Sequence, residues 1–194
     1  TVADTSNNRV LSYSLPLQAD GPTATTTLGF ACPTKTASAS CLALPSGAAV
    51  TSCGATAQRC LWVVDSGCSR VVRFPAPATS ADLVLGHPDL TVRLANNGAS
   101  PSASTMSLPK SISISGSVMA VADTGNNRIL IWPQLPTASA VPAPVILGQP
   151  NANLNLANMP KEVSALSMSC ASAVTGDASH LVVADPGFHR VLIC

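Results

Sequence analysis

One ten-residue phrase occurs four times in this chain, and no other feature narrows the possible folds so far. It reads Val2-Ala-Asp-Thr-Ser-Asn-Asn-Arg-Val-Leu11, Val63-Val-Asp-Ser-Gly-Cys-Ser-Arg-Val-Val72, Val121-Ala-Asp-Thr-Gly-Asn-Asn-Arg-Ile-Leu130 and Val183-Ala-Asp-Pro-Gly-Phe-His-Arg-Val-Leu192. Asp4, Asp65, Asp123 and Asp185 are spaced by 61, 58 and 62 residues, and Arg9, Arg70, Arg128 and Arg190 keep the same spacing. Tyr13, Phe74 and Trp132 stand four residues beyond the Arg, a place that Cys194 takes in the last copy. Leu28-Gly29, Leu85-Gly86 and Leu147-Gly148 follow, while Leu44-Pro45, Leu108-Pro109 and Met159-Pro160 precede the later copies. Self-similarity at one long period marks an architecture of stacked, near-identical units.

Each unit reads as four short strands. The first follows the Pro, at about 47–52, 111–115 and 163–169; the second ends in the Asp, the third starts at the Arg, and the fourth ends in Leu-Gly. β-branched residues fill these runs, Gly, Pro, Asn and Ser separate them, and no stretch sustains a helical period. The expected fold class is all-β. Four-stranded antiparallel units at a fixed period describe the blades of a β-propeller, which protects its sheet edges by radial closure.

The pattern of a Pro, an inner strand, Val-Ala-Asp-Thr-Gly-Asn-Asn-Arg and an aliphatic strand resembles the NHL repeat. The resemblance covers nearly the whole chain, although the units are longer than is typical and Cys68-Ser69 and Phe188-His189 replace the Asn-Asn pair. It implies a propeller, commonly of six blades. The first copy lacks its inner strand and the last its outer one. The chain 1–194 is therefore expected to be one propeller arc, with complete blades at 45–86 and 109–148 flanked by partial blades at 1–29 and 160–194. Missing blades of the same chain would be its neighbours.

The Asp and Arg of each copy flank a four-residue loop, so in a hairpin they face one another across its neck. The carboxylate can accept N–H groups of the turn and pair with the guanidinium fork. Gly125 would serve a positive φ. Repetition argues against catalysis, because a reaction needs one constellation and every blade needs its turn closed. The pairs Asp4 and Arg9, Asp65 and Arg70, Asp123 and Arg128, and Asp185 and Arg190 are expected to be structural.

Binding is expected instead on the face that carries these turns and the variable linkers, since variable loops on a rigid scaffold are the usual place for it. The candidates are Asn7, Asn8, His87, Asp89, Arg93, Asn126, Asn127, Asn151 and His189. No catalytic residue and no cofactor is assigned. The resemblance implies an alternative, a metal-dependent lyase or lactonase-like hydrolase acting on a small polar substrate, with a divalent cation near the central channel. Glu162, the sole Glu, is the candidate ligand, set against Ser111 and Gly47 at the corresponding positions. No paired metal-ligand spacing accompanies it.

Charged residues make up only 10% of the chain and the net charge is +1, without a basic cluster, so nucleic acid is disfavoured as a partner. The apolar runs are too short for membrane insertion by a helix. A protein or carbohydrate ligand remains. Seven cysteines point to an oxidising, extracellular, periplasmic or cell-surface setting. Cys53 and Cys60 can close the hairpin of one blade, and Cys32 and Cys41 can clip one linker. Cys68, Cys170 and Cys194 are left over, with Cys194 expected as a small buried residue in its aromatic position.

Overall fold

Apolar residues on both sides of each repeated turn pair with their sequence neighbours as antiparallel strands. The computed structural model describes residues 1–16, 20–53, 58–157, 163–177 and 179–194. Within them the chain forms four antiparallel sheets. The first contains β1 (Val2–Asp4), β2 (Arg9–Ser12) and β3 (Thr26–Leu28). The second contains β4 (Pro45–Ser52), β5 (Arg59–Asp65), β6 (Arg70–Pro75) and β7 (Leu83–Leu85). The third contains β8 (Ser111–Ser115), β9 (Val118–Asp123), β10 (Arg128–Trp132) and β11 (Val145–Leu147), and the fourth β12 (Ala173–Gly176), β13 (Leu181–Asp185) and β14 (Arg190–Ile193). Strand order follows chain order in every sheet.

The sheets stack in sequence through alternating side chains, because successive residues of a strand point to opposite faces. From β5, Leu61 and Val63 pack with Val10 and Leu28 of the first sheet, whereas Trp62 and Val64 pack with Ile112, Met119 and Val121 of the third. Ala120, Ala122 and Ile129 then meet Val174 and Val183 of the fourth. Both faces of the two middle sheets are thereby covered. This explains why Leu61-Trp-Val-Val64 is apolar throughout.

The first strands of successive units lie beside one another, β4 next to β8 and β8 next to β12, and β1, a second-position strand, lies next to β4. Small polar residues stitch them. The Ser111 hydroxyl donates to the carbonyl of Val174 at 3.4 Å, and that of Ser46 to the carbonyl of Pro109 at 3.3 Å.

One strand differs from the sequence reading. The first strand of the fourth sheet is Ala173–Gly176, not 163–169. Leu44, Leu108 and Cys170 share a left-handed conformation, with φ of +50°, +45° and +60°, just before their sheets begin. Cys170-Ala171 therefore takes the place of Leu44-Pro45 and Leu108-Pro109; Met159-Pro160, the pair expected there, lies outside the described residues. Ala173, paired with Ala184 as Ser111 is paired with Ala122, corresponds to Ser111 and to Gly47. The comparison of Glu162 with those positions falls, and Glu162 itself lies outside the described residues.

Candidate functional site: clasped turns and their linkers

Each repeated phrase folds as strand, 3-10 turn and strand. The turns are Thr5–Asn7, Ser66–Cys68, Thr124–Asn126 and Pro186–Phe188. Each is closed by a left-handed residue, Asn8 (φ +53°), Ser69 (+53°), Asn127 (+53°) or His189 (+51°). Asn tolerates this conformation better than most side chains. Gly125 does not occupy it, which corrects the expectation. A Cβ there would lie 2.5 Å from Ser107 Oγ and 2.7 Å from the Ser107 carbonyl oxygen. Close approach, not positive φ, demands the glycine.

Across the neck, each Asp pairs in register with its Arg. The Arg Nε donates to Asp Oδ2 at 2.7 Å in the first sheet, 2.8 Å in the second and third, and 2.9 Å in the fourth. Oδ1 accepts a backbone N–H from the segment leading into the sheet, Ala43 at 2.6 Å, Ser107 at 2.7 Å and Ser169 at 2.7 Å. These donors lie upstream of the strand and not in the turn, where the sequence reading put them.

The guanidinium completes a three-way tie. Arg128 Nη2 donates to the carbonyls of Ser102 and Thr105, and Nη1 to that of Ala152 in the linker beyond the sheet at 2.6 Å. Arg70 repeats this with Ser38, Cys41 and Leu90. Arg190 turns Nη1 to Ser164 and Nη2 to Ser167, and its guanidinium lies 5.0 Å from the centre of the Phe188 ring. Side chains of Asp65, Arg70, Asp123 and Arg128 are fully buried, whereas Arg9 and Asp4 are 43% and 23% exposed.

Burial pushes the Asp65 and Asp123 carboxyls above the ordinary range, against the pull of Arg70 and Arg128 and the backbone donors. Hydrogen bonds from Arg9 and Asn7 hold exposed Asp4 below it. Thr91 lowers Asp89 in the same way, and the N–H groups of Ser179 and His180 lower Asp177.

Several proposed ligand-face residues are spent inside the protein. His87 is buried, with Nε2 2.7 Å from the Cys68 carbonyl oxygen and Nδ1 against Asn97 Oδ1. Asn126 is buried too, exchanging amide hydrogen bonds with Asn96 and donating to Asp123 at 2.7 Å. These two cannot face a ligand, because the linker at Ala95–Gly98 folds back over them. Asn8 accepts the Leu44 N–H at 2.9 Å, and Asn127 accepts the Cys170 N–H at 2.8 Å and donates to the Asn155 carbonyl. Both tie adjacent sheets. Asn7 donates to Asp4, Arg93 to the Pro33 carbonyl, Asp89 caps Thr91 and Asn151 caps Asn153. Asn7, Asp89, Asn151 and His189 remain exposed.

Sulfur is the unrepeated chemistry here. Disulfides join Cys32 to Cys41 and Cys53 to Cys60. Cys68 is buried with Sγ 3.7 Å from Cys32 Sγ. Cys170 is exposed, and so is Cys194, contrary to the buried role expected of it. Desolvation pushes the Cys68 thiol up to about 12, and the Asp65 charge adds to that effect. Cys32, Asp65 and Cys68 put potential metal-ligating atoms within 4.8 Å of one another. With Cys32 oxidised and both Asp65 oxygens engaged, this donor set does not suit a cation.

Fold and turns together define an all-β repeat protein in which an Asp–Arg clasp closes each turn and, in the two middle sheets, is buried and fastens the linkers on either side. Comparison with protein-family models found no match, and comparison with curated proteins found none either.

Proposed function

We propose that the chain is an arc of an NHL-type β-propeller, acting as a non-enzymatic scaffold that binds protein or carbohydrate through its linker face. The observation that carries the scaffold reading is how the ionised groups are used. Four of the ten basic and four of the nine acidic residues close turns, and Asp82 pairs with Arg73 at 2.8 Å. Little chemistry is left for a general acid or base. What remains exposed on the linker face is short and polar, with Asp89 tied to its own turn by Thr91, which suits recognition more than turnover.

The propeller reading is supported by the repeated neighbour relation. Val10, Val71 and Ile129 occupy one repeat position and are each 0% exposed under the following sheet. Val191, in the same position of the last sheet, is 63% exposed, with Ile193 at 72%. Together with Ala184, Pro186, His189 and Arg190, Val191 lines an open hollow. An exposed apolar face at this repeat position is what a further sheet of the same pattern would cover. Two disulfides fit an extracytoplasmic setting. No helix among the described residues is long and apolar enough to cross a membrane.

Metal analysis after chelator dialysis and reloading with divalent cations separates this scaffold from the metal-dependent enzyme. The scaffold predicts no stoichiometric ion. One tightly held ion per chain would return the hydrolase or lyase reading. For the arc itself, a crystal structure with unequal rotations between successive sheets would defeat the propeller.

A further inference from the structure

We propose that Cys32, Cys41 and Cys68 form a three-sulfur exchange centre, in which Cys68 displaces Cys41 and one disulfide alternates between Cys32–Cys41 and Cys32–Cys68. The first observation is proximity, with Cys68 Sγ 3.7 Å from a sulfur already held in a disulfide. The second comes from the repeat. In the third sheet the backbone N–H of Asn96 donates to the Met106 carbonyl, and in the second that of Cys32 donates to the Leu42 carbonyl. Asn96 and Cys32 are thus equivalent, as Asn126 and Cys68 are by their place in the turn. Where the third sheet has a reciprocal pair of amides, the second has a pair of sulfurs. The fold therefore already brings these two positions together for a direct side-chain link.

In the exchange, Cys68 sulfur bonds to Cys32 sulfur as the Cys32–Cys41 bond breaks and Cys41 takes the electron pair. The proton that Cys68 shares with Asp65 ends on Cys41, so one disulfide and one thiol stand on each side and no external oxidant is consumed. Arg70, whose Nη2 donates to the Cys41 carbonyl at 3.0 Å, lies beside the site and offsets part of the desolvation and Asp65 charge that hold Cys68 as the thiol. Cys32–Cys41 closes the linker on itself across 9 residues. Cys32–Cys68 would bolt that linker to the Ser66–Cys68 turn across 36 residues. The centre is a switch between a self-contained linker and one fastened to the clasp.

The test maps disulfides by mass spectrometry in wild-type chain held at about pH 8, acid-quenched and alkylated with a maleimide. Exchange is expected to give both Cys32–Cys41 and Cys32–Cys68 peptides, with label divided between Cys41 and Cys68. Label on Cys68 and none on Cys41, beside that on exposed Cys170 and Cys194, with only Cys32–Cys41 found, would overturn the proposal. A second measurement uses Cys41→Ser in a Cys170→Ser, Cys194→Ser background, equilibrated with reduced and oxidised glutathione. After unfolding without reductant, this chain is expected to take up no maleimide, because Cys32–Cys68 and Cys53–Cys60 both form. Labelling of Cys32 and Cys68 there would equally defeat the exchange centre.

Discussion

The side-chain oxygen of Asn127 accepts the backbone N–H of Cys170 at 2.8 Å, joining the turn of the third sheet to the segment that begins the fourth. Asn8 does the same for Leu44, and Ser69 for Leu108 at 3.3 Å. A residue whose left-handed backbone closes its own hairpin thus also fixes the next sheet. Local turn chemistry and long-range order meet in one side chain.

Two substitutions at Asn127 separate these roles. Asn127→Gly keeps the left-handed backbone and loses the tie, and is expected to cost about 1 kcal/mol. Asn127→Ala loses the tie and strains the backbone as well, for about 2–3 kcal/mol. Urea unfolding of the pair provides the measurement. Equal costs would mean that the conformation contributes nothing.

Burial ranks the clasps. Arg128→Met leaves the Asp123 carboxylate enclosed without its counter-ion, and about 3–5 kcal/mol of stability should be lost. Arg128→Lys should recover less than half, since an ammonium cannot reach Asp123, Ser102, Thr105 and Ala152 together as the planar fork does. Arg9→Met, at a pair open to solvent, should cost far less than Arg128→Met. Denaturant midpoints of the three variants would show the order, and a large Arg9 effect would contradict it.

Gly125→Ala forces a methyl group into the Ser107 backbone and should destabilise by about 1–3 kcal/mol. Gly67 and Gly187 meet Ala43 and Ser169 at similar range, so alanine there should be no better tolerated. Ser6 stands at the same position of the first turn and already carries a Cβ. Ser6→Ala is expected to shift the thermal midpoint little, and a shift as large as that of Gly125→Ala would refute the close-approach account.

Local spacing made part of this legible before the structure. Five residues from Asp to Arg fix the hairpin neck, and the short spacing of Cys53 and Cys60 suits a bridge at the far end of its hairpin. The start of the fourth sheet was not legible, because Cys170-Ala171 shares with Leu44-Pro45 a backbone angle and not a residue type. Met159-Pro160 imitated the landmark instead. The burial of His87 and Asn126 was equally hidden, since it depends on Ala95–Gly98 folding back over the turn. Asn in a loop usually reads as solvated. Here, the Asn96 and Asn97 side chains, 30 residues from Asn126 and 10 from His87, decide otherwise.

Cys68 supplies a test by pH. Its folded thiol is pushed from 9.0 up to about 12 by desolvation first and by Asp65 second. An unfolded chain therefore releases this proton at lower pH than the folded one does. Between pH 9 and 12 the folded state binds more protons, so stability falls as pH rises through that window and is whole below it. Cys68→Asn installs the side chain found at Asn126 and removes the titrating group while every other ionisable residue stays. Thermal midpoints taken promptly after a pH jump should show the wild type declining more steeply than Cys68→Asn above pH 9. Parallel curves would mean that the thiol ionises as freely folded as unfolded, and would place Cys68 in contact with water instead of against Asp65 and Cys32.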